Sequence, residues 1–288
     1  MAAIEHLISR AENLLTQLEA LLPQAPSQVD WGALAWRWQM LNGQGHLQAV
    51  ANPHSIHLGD VCNVDSQKAE IVRNTAQFVK GFPANNVLLT GARGTGKSTL
   101  VKALLSEFSS DGLRIIEVDK QDLVDLPEIV ALIRARPERF IIFCDDLSFE
   151  ATDPGYKALK VVLDGSIANT SENVLVYATS NRKHLMPEFM AENLETKYEG
   201  EEIRPGETSE EKISLSERFG LWLSFYAFDQ DEYLRVAEHW LGQLGIAEFS
   251  EETRRAALMF SLTRGARSGR VAYQFARDYA GRMALNRQ

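Results

Sequence analysis

At 288 residues, 45% of them hydrophobic and 24% charged, the chain has room for one large and one small domain, and its composition excludes a disordered or fibrous protein. The formal net charge of -9 argues against a surface that binds nucleic-acid phosphates throughout, because such binding depends on Lys and Arg. The two cysteines, Cys62 and Cys144, lack metal-ligand spacing, so we expect reduced thiols rather than a zinc site or a disulfide framework.

The first 24 residues predict an amphipathic helix. This segment carries acidic residues and lacks the basic start and the continuous apolar core of a signal peptide. No apolar run elsewhere reaches the ~20 residues of a membrane span, so we expect a cytoplasmic protein without membrane contacts. The helix either packs on its own domain or binds a protein partner. Its apolar face consists of Ile4, Ile8, Ala11, Leu15, Leu18 and Leu22.

The next segment predicts a second helix and a linker. Asp30 precedes three tryptophans within eight residues and is a suitable helix cap, so a buried helix is expected there. From Gly43 to Asp60 the chain has Gly, Asn, Pro and irregularly spaced histidines without an apolar period, which favours a linker over a metal site. We therefore expect residues 1–59 to form an N-terminal helical extension and linker.

From Asp65 onwards, apolar strands alternate with amphipathic helices. This order predicts an α/β domain over residues 60–228, with a parallel sheet covered by helices on both faces. The predicted strands are Asn86–Thr90, Leu113–Val118, Phe140–Cys144, Val174–Ala178 and Leu223–Phe228. The predicted helices are Ser66–Lys80, Ser98–Ser109, Pro127–Ala135 and Tyr156–Ile167.

Past Asp229 only helical periods remain, which predicts a small helical domain over residues 229–288. Its helices are expected at Asp231–Leu244, Ser250–Leu262 and Ser268–Leu285. Before it, residues 188–211 carry nine glutamates against one lysine and one arginine, a net charge of -7. This segment predicts a mobile acidic loop.

A glycine-rich segment between a predicted strand and a predicted helix matches the phosphate-binding pattern G-x-x-x-x-G-K-S/T. Its glycines allow successive backbone N–H groups to surround a phosphate at the start of the helix. We expect Lys97 to contact the β- and γ-phosphates of a nucleotide, and the hydroxyl of Ser98 to ligate Mg²⁺. The full segment is Gly91, Ala92, Arg93, Gly94, Thr95, Gly96, Lys97, Ser98 and Thr99.

Two carboxylates follow the apolar strand that starts at Phe140. Asp145 is expected to hold Mg²⁺ through its water shell, and Asp146 to act as a general base or to orient a water molecule. Glu150 is the competing base. The next strand ends before Asn181, whose amide is suited to hold the attacking water, although an asparagine at this point is also a common turn former.

This ordered series resembles the AAA+ superfamily over roughly residues 60–285. The resemblance implies binding of ATP and Mg²⁺, with a sensor-1-like role for Asn181. Arg218, in Leu215-Ser-Glu-Arg-Phe219, is similar to the arginine finger that reaches a neighbouring subunit's γ-phosphate, with a surface salt bridge as the alternative. Arg267 and Arg270 resemble sensor 2 in the C-terminal lid, and Arg270 is slightly favoured.

More narrowly, three strings look like those of an uncharacterised bacterial AAA+ family with an N-terminal helical extension. They are Pro83-Ala-Asn-Asn-Val-Leu-Leu, Phe143-Cys-Asp-Asp-Leu-Ser-Phe-Glu150 and Ala178-Thr-Ser-Asn-Arg182. Two departures from common AAA+ patterns stand out: Asp146 replaces the usual glutamate, which puts the rate of hydrolysis in question, and Asn63 lies where many members have glycine.

The sequence thus favours an ATPase in which hydrolysis drives conformational change within a self-oligomer, either a hexamer or a smaller nucleotide-dependent assembly. The alternative is an ATP-gated scaffold or loader with little or no hydrolysis. A small-molecule kinase is a third hypothesis, and it is disfavoured because such an enzyme does not need Asn181, Arg218 or a C-terminal helical lid. Threading of proteins is disfavoured because residues 119–126 contain no aromatic residue, and nucleic-acid binding is unsupported because basic and aromatic residues do not interleave.

Overall fold

A computed structural model of the chain describes most of residues 29–286. The described residues are 29–53, 55–149, 153–164, 172–182, 185, 197–199, 202–204 and 215–286, together with His6 and Arg10. The predicted first helix lies outside these residues, except that His6 and Arg10 are themselves helical. Most of the predicted acidic loop is also outside them.

Within the described residues, seven strands form one sheet: β1 (Ala35–Leu41), β2 (Gln44–Ala49), β3 (Val87–Gly91), β4 (Leu113–Glu117), β5 (Arg139–Cys144), β6 (Val174–Ser180) and β9 (Leu221–Phe225). Their order across the sheet is β2-β1-β4-β5-β6-β3-β9, and all are parallel except the edge strand β2. Consecutive inner strands need crossover helices to run parallel, which is the arrangement that the alternating sequence predicts. Two further strands, β7 (Lys197–Glu199) and β8 (Glu202–Arg204), pair antiparallel within the acidic segment.

Helices cover both faces of the sheet. On one face α1 (Asp65–Val79) and α2 (Lys97–Phe108) share a buried apolar cluster with the strands, built around Ile71, Leu100 and Leu104. On the other face α3 (Leu126–Ile133) and α4 (Pro154–Asp164) form a second cluster. The prediction of a parallel sheet between two helical layers is therefore confirmed.

A small helical domain ends the chain. It consists of α5 (Gln230–Gln243), α6 (Glu251–Arg264) and α7 (Gly269–Leu285), which enclose their own apolar core. Asp229 caps α5 through a reciprocal pair of hydrogen bonds with Glu232, and Ser250 and Ser268 cap the other two helices. None of the helices in the described part of the chain combines the length and the apolar character needed to cross a bilayer.

The predicted second helix after Asp30 is wrong. Residues 35–49 form a β-hairpin whose first strand pairs parallel with β4. Trp36 and Trp38 are almost fully buried on one face of this strand, which a spacing of two residues achieves in a strand but not in a helix. Asp30 instead accepts a hydrogen bond from the backbone N–H of Gly32.

The turn of this hairpin is formed by Asn42 and Gly43, whose φ angles of 52° and 78° are both positive. Such a turn matches the twist of two antiparallel strands, and Asn-Gly is its preferred sequence. Part of the predicted linker is thus β2. The hairpin belongs to the sheet of the α/β part and not to a separate helical extension.

Candidate nucleotide-binding site

The glycine-rich segment connects β3 to α2 in a backbone conformation that requires glycine. Gly91, Gly94 and Gly96 have φ angles of 127°, 75° and 96°. A Cβ atom at Gly91 would lie 1.8 Å from the carbonyl oxygen of Phe225 in β9, so no side chain fits there. The segment therefore forms a cradle of backbone groups at the positive end of α2, as predicted for a phosphate site.

Lys97 lies in the first turn of α2 and is almost completely buried, with 5% of its surface exposed. Its ammonium donates hydrogen bonds to the carbonyl oxygens of Gly91 at 2.8 Å and Ala92 at 2.7 Å, and to Oδ1 of Asn181 at 3.0 Å. Burial lowers the pKa of Lys97, and the nearby carboxylates of Asp146 and Asp145 partly oppose this change. The lysine thus joins the cradle to the tip of β6.

Asp145 gathers three donors at one carboxylate oxygen. The hydroxyls of Ser98 and Thr179 each lie 2.5 Å from Oδ1, and the backbone N–H of Asp146 lies 3.2 Å from it. A hydroxyl oxygen next to a carboxylate oxygen provides metal ligands of the kind that Mg²⁺ prefers. Magnesium sites beside nucleotide phosphates commonly have few other protein ligands. Ser98 and Asp145 therefore fit a magnesium ion that accompanies phosphates.

Asp146 has a φ of 52°, which is uncommon for a residue with a side chain. Its backbone N–H donates to Oγ1 of Thr179 at 2.9 Å, and its Oδ1 accepts from the amide of Asn181 at 2.5 Å. Strained backbone of this kind concentrates at functional sites because the surrounding structure has to hold it in place. The predicted residues Lys97, Asn181 and Asp146 thus form one hydrogen-bonded chain.

These groups line a cavity of about 720 Å³. This volume is within the range of small-molecule sites, and the lining combines polar and apolar side chains, which we call the polar end and the apolar end. The polar end includes Arg93 to Thr99, Asp145, Asp146, Asn181 and Arg270. The apolar end includes Ile56, Val61, Cys62, Phe228, Val236, Trp240 and Tyr273.

No sequence motif indicates the apolar end. Its residues come from the end of the predicted linker and the segment before α1, from the segment after β9 and from α5 and α7, so no local motif unites them. The available signal was the set of apolar residues before α1, namely Ile56, Leu58, Val61 and Val64. An apolar slot next to a phosphate cradle is suited to a nucleotide base.

The helical domain closes the cavity from the other side. The backbone N–H of Gly269, the first residue of α7, donates to the carbonyl oxygen of Gly94 at 2.8 Å. Arg270 follows and lines the cavity, whereas Arg267 precedes α7 and is not among the lining residues; both arginines are exposed. The geometry therefore favours Arg270 over Arg267 as the arginine that faces a bound nucleotide.

The remaining predicted residues are elsewhere. Arg218 does not line this cavity, and its Nε is hydrogen-bonded to the carboxylate of Asp164 at the end of α4. Glu150 lies outside the described residues. Gly91 and Ala92 do not line the cavity either, but their carbonyl oxygens accept hydrogen bonds from the Lys97 ammonium and so orient it.

The family comparison matches residues 32–283 to a family model described as "Protein of unknown function (DUF815)". No curated protein matches the sequence. The matched range includes the hairpin, all seven strands of the main sheet and the three helices of the helical domain except the last two residues of α7.

Solved structures resemble the chain at low sequence identity. A point mutant of Thermotoga maritima RuvB has a TM-score of 0.51 at 17% identity, covering 81% of this chain and 65% of its own. The replication initiator DnaA bound to AMPPCP and single-stranded DNA has a TM-score of 0.52 at 14% identity, covering 78% of this chain and 64% of its own. The chain thus spans less than two thirds of the length of these structures. The likeness shows the AAA+ fold that the sequence resemblance implies.

Proposed function

The chain belongs to the DUF815 family and has an AAA+ P-loop fold, and we propose that it is a magnesium-dependent ATPase whose cycle moves the helical lid within an oligomer. One observation carries this proposal: Lys97, Ser98, Asp145, Asp146 and Asn181 converge at the polar end of a cavity of about 720 Å³. Each of these side chains has the chemistry that ATP hydrolysis requires at that point.

The cradle and Lys97 bind the phosphates. The ammonium has three oxygen partners that a triphosphate can replace, and its burial strengthens the attraction to anionic oxygens. Ser98 and Asp145 would hold a magnesium ion, and the charge of that ion would neutralise part of the charge on the phosphates. Arg270 approaches from α7, and a guanidinium stabilises charge that develops on the transferred phosphoryl group.

Asp146 and Asn181 position the attacking water. Their side chains are hydrogen-bonded to each other, so the amide fixes the direction of the carboxylate. Asp146 accepts the proton from the water as it attacks, which is the role of a general base. The aspartate side chain is one methylene shorter than the usual glutamate, and we therefore expect slow turnover.

Arg218 acts on the nucleotide of a neighbouring subunit. It does not line the cavity of its own chain, and an arginine finger supplied by a partner does not need to. Its bond to Asp164 holds the guanidinium near the protein surface until a second copy docks. This proposal requires a self-oligomer, either a hexamer or a smaller nucleotide-dependent assembly, and leaves the N-terminal residues available for a protein partner.

The proposal is tested by following phosphate release from MgATP. We expect the wild-type protein to release phosphate and the Lys97→Ala variant to lose at least nine tenths of the activity. Lys120→Ala is the matched control, because Lys120 forms an ion pair with Asp153 outside the cavity and its loss should leave turnover unchanged. Activity that survives Lys97→Ala at the wild-type rate would reject the assignment.

A second function, an ATP-gated scaffold or loader with little hydrolysis, has one observation in its favour. The carboxylate of Asp146 is already engaged by Asn181, which limits its reach towards a water molecule. Under this alternative MgATP binds tightly, yet turnover in the wild-type protein is no faster than in an Asp146→Asn, Glu150→Gln double variant. The same phosphate-release assay therefore separates the two functions.

A further inference from the structure

Asn63 adopts a backbone conformation that favours glycine. Its φ is 62°, and it lies two residues before the start of α1. Asparagine tolerates this left-handed region better than most residues, but glycine adopts it more easily because it has no side chain. The asparagine side chain therefore has contacts that a glycine at this position could not make.

Both ends of the Asn63 carboxamide contact the beginning of α5 in the helical lid. Nδ2 donates to the backbone carbonyl oxygen of Glu232 at 2.9 Å, and Oδ1 accepts from Nε of Arg235 at 3.1 Å. Because the donor and the acceptor each have their own partner, the amide has one preferred orientation. Asn63 thus joins the segment before α1 to the lid through two directed hydrogen bonds.

A second contact joins the same two elements further along α5. Nε2 of His239 lies 3.3 Å from Oδ1 of Asp60, whose other oxygen accepts from the backbone N–H of His57. Residues 60–63 are therefore attached to α5 at two points. The same elements also line the apolar end of the cavity, through Val61 and Trp240 among others.

The position of α5 determines the position of Arg270. Helices α5 and α7 share the buried core of the lid, including Tyr233, Ala237 and Phe275. Well-packed helices move together, since separating them would expose that core. The N-terminus of α7 rests on the glycine-rich segment through the bond from Gly269 to Gly94, and Arg270 follows it.

We propose that Asn63 is a positioning residue that fixes the lid over the apolar end of the cavity and thereby places Arg270 at the polar end. This inference rests on the proposed function, because it assigns the two ends of the cavity to the base and the phosphates of one nucleoside triphosphate. Asn63 does not touch the phosphates itself and acts through α5 and α7.

The test substitutes Asn63→Gly, which keeps the backbone conformation available and removes both hydrogen bonds to the lid. Asn42→Gly is the matched control, because Asn42 also has a positive φ of 52° but lies in the exposed hairpin turn. We expect Asn63→Gly to weaken MgATP binding about tenfold in calorimetry and to speed hydrogen exchange at the Gly269 amide. Asn42→Gly should change neither measurement.

A double-mutant cycle with Arg270→Ala separates positioning from a general loss of stability. If Asn63 acts through Arg270, the Asn63→Gly, Arg270→Ala double variant binds and hydrolyses MgATP no more weakly than Arg270→Ala alone. Losses that multiply would overturn the inference, as would an Asn63→Gly variant that behaves like Asn42→Gly.

If the proposed function is wrong, the binding and exchange measurements give a different result. In that case the wild-type protein binds no MgATP, and exchange at the Gly269 amide in the ligand-free variants decides the role of Asn63. Unchanged exchange in Asn63→Gly would then overturn the positioning role, whereas faster exchange would support it.

Discussion

Asp146 is the residue on which the rate of hydrolysis is expected to depend. Its carboxylate is held by Asn181 beside Lys97, so removing its charge should stop proton transfer without removing the phosphate cradle. We expect Asp146→Asn to lower phosphate release by about 100-fold, the scale of general-base catalysis, while MgATP affinity stays within a factor of about three.

Two further variants complete this prediction. Asp146→Glu should preserve or raise turnover, because the carboxylate gains one methylene of reach. Glu150→Gln should leave turnover near the wild-type rate. If Glu150→Gln abolished phosphate release and Asp146→Asn did not, the base would be Glu150.

Cys62 reports occupancy of the cavity. Its thiol lines the apolar end, whereas Cys144 is fully buried at the end of β5. Burial raises the pKa of Cys62, and it raises the pKa of Cys144 to about 12, so both thiols should be alkylated more slowly than a free cysteine, and alkylation should reach Cys62 first.

We expect N-ethylmaleimide at mildly alkaline pH to add one label, at Cys62, and MgATP to slow that labelling severalfold. Peptide mass spectrometry measures this directly, and the unfolded protein, which should take up two labels, is the control. Labelling of Cys62 at the same rate with and without MgATP would contradict the placement of the nucleotide base at the apolar end of the cavity.

At the scale of residues, the sequence predicted the polar end of the site and missed the apolar end. Lys97, Ser98 and Asp145 belong to short motifs whose spacing follows from the strand–turn–helix geometry around them. Val61, Trp240 and Tyr273 come together only through the packing of the lid on the α/β part. A single sequence contains no periodicity that reports such a contact.

The hairpin of β1 and β2 shows the same limit at the scale of elements. A cluster of tryptophans after Asp30 suggested a helix, although Trp36 and Trp38 are two residues apart and Asn42-Gly43 follows, which together are typical of a hairpin. From Asp65 onwards, the predicted helices and strands are present in the described residues, with ends that differ by up to three residues. Those elements have clear apolar periods and helix caps.

Trp36 should be essential for the stability of the sheet. It is 1% exposed and packs against Trp31 and Phe140, with ring centres 5.8 and 6.1 Å away. We expect Trp36→Ala to lower the free energy of unfolding by about 3–5 kcal/mol in urea titrations. Met40→Ala, in the exposed part of the same strand, should cost no more than about 0.5 kcal/mol. Equal effects of the two substitutions would mean that the hairpin does not pack on the sheet.

At the scale of the whole molecule, the central prediction is that two copies complete one active site. A Lys97→Ala subunit binds the phosphates weakly but still offers Arg218, whereas an Arg218→Ala subunit has the opposite defect. We expect each variant alone to be nearly inactive and an equimolar mixture to recover about a quarter of the wild-type rate of phosphate release, because only some interfaces pair the two intact residues.

Arg282→Ala is the control for this mixing experiment, since Arg282 forms an exposed ion pair with Asp278 on α7 and its loss should leave the rate unchanged. Mass measurement with and without ATP shows whether the copies associate. A strict monomer that hydrolyses ATP at full rate after Arg218→Ala would contradict a role for Arg218 between subunits.

The most direct test of nucleotide binding is calorimetric titration of the wild-type protein and of Lys97→Ala with MgATP. We expect saturable binding of one nucleotide per chain. We also expect Lys97→Ala to weaken the affinity roughly 10- to 150-fold, since charged hydrogen bonds contribute about 1.5–3 kcal/mol. Absence of saturable heat with the wild-type protein, or equal affinity in the two proteins, would contradict these expectations.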